Sequence, residues 1–287
     1  MRFLLVLLAT LLALPVAAKE RADRYSAMTY NIRLDIASDG DNGWPHRRGA
    51  LTGLVAYYGP DLVGMQEVLP QQKQAIEADL PHYRFVGVAR DDGQNKGEYS
   101  PLGFRRDRFT LVGSGTFWLS PTPQVPGKGW DAAYPRIATW ARLRDKTAKQ
   151  VLLIVNTHMD HVGTTARLEG ARQIRGWISK QRKPDETVVL MGDFNSPTGS
   201  PAYAAIVEPG DGALHDTLTI SRTPHFGPLG TFTGFKIDHV EPAPIDHIFV
   251  SRDVTVLRHA TLTQQMGGRL PSDHYPVLAD LCVGKRC

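Results

Sequence analysis

The stretch VVLMGDFNSPTG, residues 188–199, constrains the fold of this chain more than any other. An apolar, β-branched run between turn formers reads as a buried β-strand. Asp193 and Asn195 then stop it, and Pro197 and Gly199 break the chain at once. Two positions apart at a strand end, a carboxylate and a carboxamide point to the same side of a sheet. An Asx turn, in which either side chain bonds nearby backbone, explains the same residues equally well. The stretch alone leaves both readings open.

The pattern recurs. Residues 24–32 read as a strand delivering Asn31, and DLVGMQEVLP as one carrying Glu67 at its exit. QVLLIVNTHMDH ends near His158, and IDHIFVS is a strand that presents Asp246. Helical spacing appears in WPHRRGALTGLVAYYG, around residues 71–80, and in TTARLEGARQIRGWISKQR. Segments near 83–89, 99–105 and 108–119 alternate as antiparallel strands do, RIATWARLR forms a further strand, and SDHYPVLADL closes the chain. Strands that alternate with helices in some places and with turns in others predict an α/β protein with mixed sheets and helices on both faces. Strand ends gathered on one rim form a site beyond the sheet edge.

Composition narrows the class. One basic residue, a short apolar stretch and the small residues Val16, Ala17 and Ala18 predict a secretory signal peptide cleaved after Ala18. This implies a secreted or periplasmic protein and leaves residues 19–287 as one domain. The run is short for a membrane span, and no later segment resembles one. The net charge of +4 is compatible with a phosphate-bearing partner and far from the blocks of a nucleic-acid tail. Cys282 and Cys287 cannot staple the core; they can close a small terminal loop unless strain forbids it.

Six segments, MTYNI, GMQEV, NTHMD, GDFNS, IDHIFV and SDHYPV, follow one another in an order that resembles the endonuclease/exonuclease/phosphatase superfamily. DNase I, exonuclease III-type nucleases, inositol-polyphosphate phosphatases and neutral sphingomyelinases belong to it. The resemblance runs from about Ser26 to Leu281 and is greatest to small secreted bacterial members. It implies a four-layered α/β/β/α sandwich of two packed mixed β-sheets, one or two Mg²⁺ or Mn²⁺ ions, and a monomer that hydrolyses a phosphate ester.

By that resemblance Glu67 is the principal metal ligand, with Asn31 beside it and Asp273 as the adjacent metal-side carboxylate. Asp193 orients and deprotonates the attacking water, and Asn195 holds Asp193 or the phosphate. His274 donates to a phosphate oxygen while Asp246 fixes its other ring nitrogen, and His158 stands near the leaving oxygen. Mg²⁺ keeps several waters and takes few protein carboxylates, so a sparse acidic set suits it. Asp160 and His161 could face the same cleft, Arg136 could reach the phosphate across the sheet, and Asn156 could support the residues that hold metal and substrate. His215, Asp216 and His247 read as structural or as supports behind the site, and Trp44, Arg47 and Arg48 as the edge of the cleft or a helix start whose arginines lie along the surface.

A phosphodiester, with nucleic acid among the candidates, ranks first as substrate. Phe226, Phe232, Phe235, Arg222 and Lys236 in the Gly-rich 221–242 segment could stack bases. A sphingomyelinase-like enzyme lacks a clear apolar hairpin here, and an inositol or sugar phosphatase lacks a dense basic cluster in sequence. A metallo-β-lactamase-type zinc site fails because Asn156 stands where its first histidine belongs. A catalytically dead binding protein is the non-enzyme alternative; it would be expected to have lost at least one of these site residues, and all are present.

Overall fold

The computed structural model describes residues 23–284 and Cys287; the expected leader of residues 1–18 lies outside them. Strands β1 (Arg24–Asn31) and β2 (Leu62–Gln66) pair in parallel through the Trp44–Tyr58 helix. Strands β7 (Val151–His158) and β8 (Glu186–Asp193) do the same through the Thr164–Gln181 helix. A parallel pair needs such a crossover, because a hairpin turn cannot bring the second strand back in the same direction.

Antiparallel strands complete two six-stranded sheets. The first sheet adds β3 (Tyr83–Val86), β4 (Leu102–Arg105), β11 (Val254–Thr261) and β12 (Val277–Val283), in the order β11-β12-β1-β2-β4-β3. The second adds β5 (Phe109–Trp118), β6 (Ile137–Asp145), β9 (His215–Asp216) and β10 (Asp246–Val250), in the order β5-β6-β7-β8-β10-β9. The four-layered sandwich expected from the resemblance is present.

Strand alternation shows why the layers stack. Ala27, Leu62, Ile154, Met191 and Ile248 meet in a core between the sheets. Their strand neighbours Met28, Val63 and Met65 face outward onto Leu51, Leu54 and Val55 of a helix. On the other side Leu153, Val155, Val188 and Leu190 pack on Ala171, Ile174 and Ile178. Both faces of each central strand are therefore dry, which explains why the sequence shows continuous apolar runs where a one-sided sheet would alternate.

Topology brings the site together. Asn31, Glu67, His158 and Asp193 all stand at or just past the C-terminal ends of the parallel strands, with Asn31 opposite Gln66 and His158 opposite Asp193. Asp246 begins β10, whereas Asn31, His158 and Asp193 end their strands. Because β10 runs antiparallel to β8, its first residue lies opposite Asp193 on the same rim. Likewise β12 runs antiparallel to β1, so the Asp273–His274 segment before it arrives at Asn31. Cys282 and Cys287 are joined by a disulfide.

Candidate active site

The end of β8 carries two backbone peculiarities, and the end of β2 a third. Gly192 has φ +154°, and a Cβ there would meet Thr157 O at 2.2 Å, so only glycine fits the position before Asp193. Glu67 and Asn195 adopt left-handed φ values of 61° and 46° although neither is glycine. Such conformations are costly, and at these positions they turn the chain out of the sheet toward one pocket. The Asx-turn and functional readings prove compatible, since the Asn195 N–H donates to Asp193 Oδ1 at 2.8 Å.

Asp193 is the hub of the pocket. Asn31 Nδ2 donates to its Oδ2 at 2.9 Å and also to Glu67 Oε1 at 3.1 Å, tying two carboxylates from opposite sheets. His158 Nε2 and His274 Nε2 lie 3.6 and 3.9 Å from the same Asp193 oxygen. Burial raises the Asp193 pKa above the usual carboxylate range, and the facing Asp246 adds to this.

The two histidines are held in opposite states. Burial alone would depress His274, but the hydrogen-bonded Asp246, with Asp193 and Asp273 behind it, overrides burial and lifts the pKa to about 10. Asp246 Oδ2 accepts from its Nδ1 at 2.8 Å, so Nε2 carries its proton toward Asp193 and the pocket. His158 is buried beside Arg136, and its pKa falls to about 3. At neutral pH the pocket thus holds one imidazolium and one neutral imidazole.

Two groups could hold a cation. Glu67 and Asp273 supply oxygen atoms at the pocket wall, and burial followed by the Glu67 charge, against the nearby His274, keeps Asp273 reluctant to ionise. A hard divalent ion relieves that repulsion, so this donor set fits Mg²⁺ or Mn²⁺. Among the described residues, ligand atoms of Asp193, Asp246 and His274 also lie within 4.8 Å of one another. An ion bound there must displace the His274 proton that Asp246 stabilises, which favours the Glu67 side.

The pocket encloses about 570 Å³ and also admits residues that sequence reasoning missed: Arg33, Arg90, Glu98 and Tyr134. Arg33, Arg90 and Arg136 come from separate parts of the chain, so the basic cluster sought in the sequence exists only in three dimensions. Arg136 is 4% exposed, and its Nη1 has no partner among the described residues. Arg136 Nε is 3.2 Å from Asp160 Oδ2, and Nη2 donates to His161 Nδ1 at 3.0 Å.

Several expectations need correction. Asp160 does not line the pocket: it accepts from the backbone of Ala133, Tyr134, Val162 and Gly163 and so fixes two loops behind Arg136. Asn156 is buried between the sheets, donating to Met65 O and Pro101 O and accepting from Gln66. Arg47 is also internal. It donates to carbonyls of Ile32, Arg33 and Asn42 and lies under Phe235. In the 221–242 segment Phe232 packs on the His274 ring at 5.1 Å and Arg222 bonds the Cys287 carbonyl, while Phe226 stays exposed. His247 is structural as expected, facing Ser196 O and Asp216.

The endonuclease/exonuclease/phosphatase family model matches residues 28–274, a span that contains every residue described above. This chain belongs to that family. Its members are phosphoester hydrolases, and the chain is one by its family. A family protein from Bacteroides thetaiotaomicron is 35% identical, with a TM-score of 0.86 over 91% of this chain and 98% of its own. The mannosyl-6-phosphatase of the same bacterium is 36% identical, with a TM-score of 0.84 over 90% and 99%. Human nocturnin's catalytic domain, 18% identical over 91% and 95% with a TM-score of 0.71, shares the fold. The chain spans 59% of the length of an uncharacterized Acanthamoeba polyphaga mimivirus protein, at 25% identity over 53% of its own length.

Proposed function

We propose that the chain is a secreted or periplasmic, Mg²⁺- or Mn²⁺-dependent hydrolase of a small phosphate ester, with a phosphorylated sugar as the preferred class. One observation carries this reading: the carboxylates of Glu67, Asp273 and Asp193 and the cations of Arg136 and protonated His274 line one pocket. A phosphoryl group needs both, a metal on one side and donors for its oxygens on the other. The pocket's volume suits a sugar phosphate, and a 36% identical relative of matching length is a mannosyl-6-phosphatase. The leader composition and the Cys282–Cys287 disulfide support an oxidising compartment.

In this mechanism Glu67 and Asp273 would hold the cation, which would polarise the phosphoryl group and acidify water. Asp193, aligned by Asn31 and the Asn195 N–H, orients the attacking water and takes its proton. His274 and the free Arg136 Nη1 donate to the phosphoryl oxygens as charge gathers there. Neutral His158 stands 3.6 Å from Asp193 and can hydrogen-bond the leaving oxygen. The proton that Asp193 takes from water passes by way of His158 to the leaving oxygen, which departs as a hydroxyl, and phosphate remains beside His274 and Arg136.

A diester reading has one observation in its favour. A second groove of about 320 Å³, lined by Thr164, Thr165 and Ser200, shares Asn195 with the main pocket and could take a second ester arm. The two readings separate on p-nitrophenyl phosphate, bis-p-nitrophenyl phosphate and mannose 6-phosphate, each with Mg²⁺ and with EDTA. The monoester reading predicts EDTA-sensitive turnover of the first and third. Turnover of the diester alone would replace it, and no metal-dependent turnover of any ester would refute both.

A further inference from the structure

The pocket's outer wall carries an aromatic side chain that phosphate chemistry does not require. Tyr134 is 50% exposed yet firmly placed. Its backbone N–H donates to Asp160 Oδ2 at 3.3 Å, the Arg90 guanidinium lies 5.0 Å from its ring centroid, and the His161 ring stacks at 6.0 Å. Arg90 is in turn fixed by two 2.8 Å contacts to Glu98. This is a rigid mounting for a half-exposed ring, and rigidity in advance of binding lowers the ordering cost of recognition.

The phenol makes no hydrogen bond to any described residue, so its donor and acceptor capacity is uncommitted. It lines the same pocket as Arg136 and His158, the residues assigned to the phosphoryl oxygens and the leaving oxygen. We infer that Tyr134 is a specificity residue that hydrogen-bonds a hydroxyl of the leaving group and so selects phosphate esters of polyhydroxylated molecules. The inference rests on the small phosphate-ester reading and adds to it the group that distinguishes a sugar from a plain alkyl or aryl ester.

The test compares the parent enzyme with Tyr134→Phe on mannose 6-phosphate and on p-nitrophenyl phosphate, whose leaving group has no hydroxyl besides the one released. The substitution keeps the ring and its contacts and removes only the hydroxyl. Roughly a tenfold loss in kcat/KM is expected for the sugar phosphate, the value of one hydrogen bond, with p-nitrophenyl phosphate unchanged. Tyr134→Ala should keep that ranking and widen the gap. Equal losses on both substrates, or none on either, would overturn the assignment while leaving the hydrolase reading intact. A parent enzyme that hydrolyses p-nitrophenyl phosphate but no sugar phosphate would overturn the assignment and the sugar preference together.

Discussion

Arg47 provides the sharpest test of how this site is held together. Arg47 is 2% exposed, and its guanidinium reaches carbonyl oxygens of the segment after Asn31 and of the segment before Asp273. It donates to Ile32, to Arg33 at 2.6 Å and to Asn42 at 2.8 Å, with longer contacts to Pro271 and Leu34 at 3.3 and 3.4 Å. Arg47→Met keeps the length and apolar volume of the stem and removes every donor. Leaving each of the three closest carbonyls unsatisfied costs about 1–3 kcal/mol. Relief from a buried guanidinium, whose pKa burial holds down against the pull of Asp273, offsets part of this. The expected net loss is about 3–4 kcal/mol, or roughly 6–16 °C in Tm for a chain of this size. Turnover should fall by roughly a hundredfold even where the variant remains folded, because Asn31 and Asp273 lose their common anchor. Arg47→Lys should recover less than half of either quantity, since a point charge cannot span carbonyls that a planar fork reaches. Thermal melts and steady-state kinetics on p-nitrophenyl phosphate measure both effects. A methionine variant that melts within about 1 °C of the parent and keeps full kcat would refute the bracing role.

Asp193→Asn should lower kcat by about a thousandfold or more while the melting curve stays near the parent's, because it removes the proposed base and retains a hydrogen-bonding side chain. Residual kcat within tenfold would remove Asp193 from that role. Glu67→Gln should shift the Mg²⁺ activation curve to at least tenfold higher concentration, whereas Asp246→Asn should leave it nearly in place and lower kcat instead. The reverse ranking would move the ion to the Asp193, Asp246 and His274 group. His259 is buried neutral, its pKa lowered to about 4 by burial against the pull of Asp216. The unfolded chain takes up this proton first, so stability is full above about pH 6.5 and falls as pH drops toward 4, by about 3 kcal/mol from this residue. Ring resonances of His259 that titrate near 6.5 in the folded protein would contradict it.

How much of this was legible in the chain depends on whether a residue acts where its strand delivers it. The strand-end residues were legible because a polar side chain that interrupts a dry strand must leave the sheet at that point. Asn31, Glu67, His158 and Asp193 followed that rule. Asn156 shows its limit. It shares a face with His158, but two residues of strand place it about 7 Å deeper, between the sheets instead of at their rim. Asp160 shows a second limit, because past a strand end nothing in the local pattern says whether a carboxylate turns to ligand or to backbone. Arg47 looked like a surface arginine at a helix start, since its carbonyl partners Ile32 and Pro271 lie on distant loops. Arg90, Glu98 and Tyr134 carried no signal at all: their function is mutual, through an ion pair and a stacked ring assembled between segments some forty residues apart. Sequence therefore disclosed the strand-end part of the pocket, which strand geometry builds, and hid the loop wall, which only side-chain contacts between loops create. That division has a functional consequence. Substitutions on the wall can retune the leaving group without disturbing the Asp193 and His274 core, and mutating Tyr134 tests that independence directly.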